Sequence, residues 1–169
     1  MRDRPKPPNE LIDLLRRYEP DVQAVALATR KAVLDATGPC HETILQVYRN
    51  NVISILYSTT EKRIKDNICL VVVYRDHVNV MFPRGVDLKD PKGLLEGSGK
   101  AMRHVKMLTA RDAARPGVRE LLTQAKKRPG LGKPPTPGQH VVSMVKGQKP
   151  VENARLKPRA PAKNLPRLF

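Results

Sequence analysis

Apolar positions recur along the chain with two different periods, and the change of period divides it. Leu11, Leu14 and Leu15 share one helical face that runs on to Tyr18. Asn9 stands where a side-chain oxygen can cap the first turn. Pro20 ends that pattern and suits the first position of a second helix, where its missing N–H costs nothing. Asp21 follows at the positive end of the new helix dipole. Val22, Val25, Thr29 and Val33 then recur at helical spacing, with Leu27 and Leu34 beside them, until Gly38-Pro39 stops the helix.

From Glu42 the period shortens to two. Residues 42–49 are β-branched and alternating, Asn50-Asn51 signals a turn, and residues 52–58 make a second strand, which predicts a hairpin. Residues 59–67 form a charged connector. Residues 68–74 are apolar at nearly every position, as expected of a central strand. Arg75-Asp76 turns the chain into a fourth strand over 77–82. A long connection with four glycines, residues 83–99, leads to residues 103–108, where basic and apolar side chains alternate as in a strand with one wet face. Residues 111–128 predict a terminal helix with Val118, Leu121, Leu122 and Ala125 on one side. Several strands are joined too tightly for crossover helices. The expected fold is therefore α+β: two N-terminal helices, a mostly antiparallel sheet of about five strands, one C-terminal helix, and then a disordered tail.

The tail follows from charge and composition. The chain of 169 residues carries a net charge of +16 and 16 prolines. Residues 129–169 hold eight of those prolines and eight Lys or Arg against one acid, Glu152. Such a stretch buries too little apolar surface to offset its ordering entropy. Three regions result: a disordered arm over 1–8, a domain over 9–128, and a basic, Pro-rich disordered tail over 129–169.

Positive charge of this size points to polyanions: nucleic acid, acidic headgroups or acidic proteins. Arg63 and Lys65 in the connector, Lys126-Lys127-Arg128 and the tail are the features suited to nucleic acid. Two Phe, four Tyr and no Trp leave few stacking platforms, so such binding is expected to be nonspecific and steeply salt dependent. The two cysteines, Cys40 and Cys69, form no CxxC and read as small buried hydrophobes in a reducing compartment. No apolar run is long enough to span a bilayer, and no apolar stretch follows the charged N-terminus. A cytoplasmic protein is expected.

Two segments carry a family resemblance. Tyr74-Arg75-Asp76-His77-Val78-Asn79-Val80 looks like a central hairpin, and the run Asp90-Pro91-Lys92-Gly93-Leu94-Leu95-Glu96-Gly97-Ser98-Gly99-Lys100-Ala101-Met102-Arg103-His104-Val105-Lys106 is the closer match. On these the chain resembles the YdhG-like family, a domain of unknown function, over residues 9–128. The resemblance implies a small α+β domain. Some relatives are described as frataxin-like iron chaperones, so it also implies iron as a cargo. The acidic residues of the first two helices, Glu10, Asp13, Glu19 and Asp21, are interrupted by Arg16 and Arg17.

Candidate sites are few. Gly97, Ser98 and Gly99 can turn successive amides toward an anion, with Lys100, Arg103 and His104 adding charge. The same glycines can simply shape a turn into the last strand. A P-loop is excluded, because Leu94 stands where Gly is needed and Ala101 where Ser or Thr is needed. Asp76, His77 and His104 make a possible metal set if their strands are neighbours. No Ser-His-acid or Cys-His order has a recognisable local context. The expectation is a noncatalytic module for a small ligand, an anion or a metal ion. The alternative is a nucleic-acid-associated basic protein acting through its tail.

Overall fold

The computed structural model describes residues 4–47, 52–136 and 139–146. The fold is α+β. Helices α1 (Asn9–Leu15) and α2 (Pro20–Thr37) precede strands β1 (His41–Val47), β2 (Val52–Ser58), β3 (Asn67–Val73), β4 (Val78–Phe82) and β5 (Arg103–Met107). Helix α3 (Pro116–Lys126) and a last strand, β6 (Val141–Lys146), complete it. The sheet runs β5-β4-β3-β2-β1-β6. Four of its pairings are antiparallel, and β1–β6 is parallel.

Strand alternation places the core. Met144, Ile44, Ile55, Val71, Val80 and Val105 lie in register across all six strands. The rows beside them hold Ile53, Val73, Val78 and Met107 on one side and Tyr57 and Cys69 on the other. Nearly all of these are fully buried with Leu11 and Leu15 of α1, Val22, Val25 and Val33 of α2, and Val118, Leu121 and Leu122 of α3. Helices thus cover one face of a sheet whose other face carries Ser54, Leu70, Met81 and Lys106.

Four local expectations change. Asn9 does not cap α1: Pro8 is the cap residue, and its carbonyl accepts from Leu11 and Ile12. Residues 111–128 are not one helix. A 3-10 turn (Ala110–Ala114), closed by a capping box between Thr109 and Asp112, is followed by a fresh start at Pro116, the first helical position of α3. The largest correction concerns the tail. Residues 141–146, placed in a disordered segment, form the sixth strand. β1 presents an open row of amides and carbonyls, and a run rich in Val satisfies it. The arm also differs from expectation at its inner end, where the Pro5 and Lys6 carbonyls accept from Arg30. Residues 1–3 of the arm and 137–138 and 147–169 of the tail lie outside the described residues, as does the turn expected at Asn50-Asn51.

Candidate functional site

The Gly97–His104 segment is a closed loop. Glu96 and His104 exchange backbone hydrogen bonds of 2.8 and 3.0 Å. Gly97 takes a φ of 120°, which favours glycine. Arg103 turns inward and donates to the carbonyls of Gly99, at 2.6 Å, and Met102, at 2.7 Å. Its guanidinium therefore holds the loop's own carbonyls. Ser98 and Lys100 are exposed.

Asp76, His77 and His104 are not brought together. His77 precedes Val78, which pairs with Met107, whereas His104 pairs with Met81. Roughly 13 Å of extended strand separates the two imidazoles' backbones. Among the described residues, no three His, Cys, Asp or Glu groups are placed to hold a metal ion. Asp76 and His77 do form a unit of their own. Tyr74 and His77 flank the two-residue turn Arg75-Asp76, and the Tyr74 amide donates to the His77 carbonyl at 2.9 Å. Their rings stack at 4.7 Å and 14°. His77 Nδ1 lies 2.6 Å from Asp76 Oδ1, and that hydrogen bond holds the Asp76 carboxyl below its ordinary range.

This turn forms one wall of a cleft of about 800 Å³. Leu14, Arg17, Tyr18 and Glu19 at the end of α1 face it from one side; Gln46, Val52 and Ile53 come from β1 and β2. Arg75 and the stacked Tyr74–His77 pair close it. Tyr18 donates to the Val73 carbonyl at 3.4 Å, which ties the end of α1 to the β3–β4 turn. Arg17 and Arg75 are exposed, and neither guanidinium has a partner among the described residues. A cleft of this volume with converging polar groups is the kind of place a small molecule binds. A smaller cavity of about 320 Å³ lies at the C-terminal end of α3, lined by Phe82, Leu88 and Ala125 together with Arg84, Lys127 and Arg128.

No protein-family model, curated protein or solved structure matches the chain.

The most concentrated polar chemistry is sealed inside the fold. Glu42, on the core-facing row of β1, accepts from Arg30 Nε at 2.7 Å and Arg30 Nη2 at 2.8 Å. Tyr57 donates to it at 3.2 Å, and His140 Nε2 lies 3.0 Å away. His140 Nδ1 faces the Cys40 amide at 3.4 Å and the Cys40 sulfur at 3.9 Å. An amide donor there leaves Nδ1 as the acceptor, so the ring proton sits on Nε2 and points at Glu42. Burial alone would raise the Glu42 carboxyl, but the bonds from His140 and Arg30 outweigh it and hold it low. Cys40 is pushed up to about 12, by burial first and then by the Glu42 charge.

Thiol, imidazole and carboxylate thus stand in the order of a nucleophilic triad, in a form suited to holding elements together. The thiol is fully buried and protonated, and Arg30 has already neutralised the carboxylate. The cluster joins the N-terminal arm, α2, β1, β2 and the β6 segment. Sequence reasoning missed it because its members are spread over more than a hundred positions. The available signal was Arg30 within the apolar stripe of α2.

Proposed function

We propose that this domain is a noncatalytic binding module for a small anionic molecule, of the YdhG-like type. Its site is the cleft between the end of α1 and the β3–β4 turn. The observation that supports this most is that Arg17 and Arg75, whose guanidinium groups have no partner among the described residues, line one cleft. A charge-assisted hydrogen bond contributes about 1.5–3 kcal/mol, and Arg suits planar bidentate recognition of carboxylate or phosphate. The Tyr74–His77 plate beside them offers a face to a flat ligand body. Iron as cargo, which the family resemblance implies, gains no observation here.

The test is titration with inorganic phosphate, citrate and benzoate, followed through the ring signals of Tyr74 and His77. One of these anions is expected to shift both rings. The Arg17→Ala, Arg75→Ala double variant is expected to weaken that anion at least tenfold. Unchanged affinity in that variant, or no shift with any of the three, removes the reading.

A second reading has its own observation. Arg128 Nη2 donates to the carbonyls of Lys65, at 3.4 Å, and Asn67, at 3.1 Å. That contact brings the charged connector against the end of α3, so two basic stretches distant in sequence share one surface. Association with a polyanion would use it.

A further inference from the structure

The connector between β2 and β3 carries the most exposed large apolar side chain among the described residues. Ile64 is 91% exposed and stands between Lys62-Arg63 and Lys65, all of them exposed. The loop beneath is built to present this tip. Thr59 and Asp66 close its base through a 3.0 Å backbone bond, and the Asp66 amide donates to the Lys62 carbonyl, also at 3.0 Å. Asp66 binds the Thr60 hydroxyl and accepts from the Gly132 amide at 3.1 Å. A Cβ on Gly132 would collide with the Thr60 methyl, so glycine lets the following chain lie close against the loop. Arg128 adds its two bonds to the connector's carbonyls. Apart from Asp66, which these contacts occupy, Glu61 is the loop's one carboxylate.

We propose that this face docks on duplex DNA, with Lys62, Arg63, Lys65 and Lys127 on phosphates and Ile64 as an apolar wedge at a base step. The proposal rests on the polyanion reading above and assigns it a surface and a mode. Cations clustered on a short loop complement the negative charge of a duplex. A lone branched aliphatic side chain projecting between them is the device that partly unstacks a step in the minor groove. An anionic bilayer fits less well. Interfacial anchoring draws on a broad apolar face and on Trp at the headgroups, and here one isoleucine stands alone in a chain without Trp.

The test uses the full chain and a labelled 20-base-pair duplex carrying 2-aminopurine. The wild-type protein is expected to bind at low salt, with a log–log salt slope of about −4. It should also brighten the 2-aminopurine as the step unstacks. Lys62→Ala, Arg63→Ala, Lys65→Ala is expected to weaken binding at least tenfold and to flatten the slope by about 2 to 3. Ile64→Ala should abolish the brightening while leaving the slope unchanged. These four positions are exposed, and unchanged circular dichroism confirms that the variants fold. As a control, Arg155→Ala, Lys157→Ala, Arg159→Ala should leave the brightening intact. If the wild type binds no duplex at low salt, the polyanion reading and this proposal both fall. If binding depends on the control positions and ignores the loop, the polyanion reading stands and this proposal is overturned. Ile64-dependent binding to phosphatidylserine vesicles without duplex binding overturns it as well.

Discussion

Replacing Glu42 by Ala is expected to destabilise the fold by about 3–5 kcal/mol, because it leaves a buried guanidinium without its counter-charge. Arg30 is 3% exposed, and without Glu42 only the Pro5 and Lys6 carbonyls remain to it among the described residues. Tyr57 and His140 lose their shared acceptor at the same time. In a domain of this size the loss corresponds to roughly 10 °C or more in melting temperature. Arg30→Met with Glu42→Leu should recover much of it, since paired apolar replacements remove both charges together. A chemical denaturation curve decides the matter. A cost below about 1 kcal/mol for Glu42→Ala would show that the cluster does not hold these elements together.

The same carboxylate sets an acid limit. Its folded-state pKa lies below the ordinary value. The stabilisation it confers is therefore complete above the unfolded-state pKa, about 4.3, and is lost as pH falls through the depressed folded value. Asp112, held low chiefly by the Thr109 amide, adds to the same trend. Wild type is thus expected to lose stability steeply below about pH 4. Glu42→Gln should flatten that slope, as unfolding measured across pH 2–6 will show.

The second large effect concerns chain length. A chain ended at Arg128 is expected to be about 3–5 kcal/mol less stable than one ended at Lys146. It loses the His140 bond to buried Glu42, a charge-assisted contact of about 1.5–3 kcal/mol. It also loses the partly buried Met144 and the hydrogen-bonded ladder along β1. The chain ended at Lys146 keeps every contact named above. Equal midpoints for the two would mean that β6 contributes nothing to the fold. It follows that removing residues 129–169 is not a clean way to separate a domain from a tail.

Much of the architecture was legible because local pattern and tertiary role agree. Strand β2 falls on its expected residues, 52–58, because apolar side chains recur along it from Val52 and the charged connector from Thr59 ends it. Helix α2 begins at Pro20 and stops at Gly38, whose φ of 70° suits glycine. Strand β6 escaped notice for a compositional reason. Prolines and lysines averaged over 41 positions masked the short run Val141-Val142-Ser143-Met144-Val145. Pro116 falls inside the helix expected over 111–128, yet it marks the start of α3. The cleft was not legible, because Arg17 and Arg75 stand far apart in sequence and meet only when the end of α1 docks beside the β3–β4 turn. Glu42 and Ile44 occupy the same phase of β1, so alternation alone could not reveal that a carboxylate points into the core.

The parallel pairing of β1 with β6 also sets an order of events. Thr43 and Ser143, hydrogen-bonded at 3.0 Å, are 100 positions apart. Closing so long a loop carries more entropy cost than zipping the β2–β3 or β3–β4 pairs, and nothing in the ladder favours it until β1 is in place. On a ribosome, three helices and five strands can assemble before the sixth strand has emerged. During that interval Glu42 and Arg30 lack His140, and one long edge of the sheet faces water. Amide exchange in the native protein should retrace the sequence in reverse, with the β1–β6 ladder opening first and the β2–β3–β4 centre last.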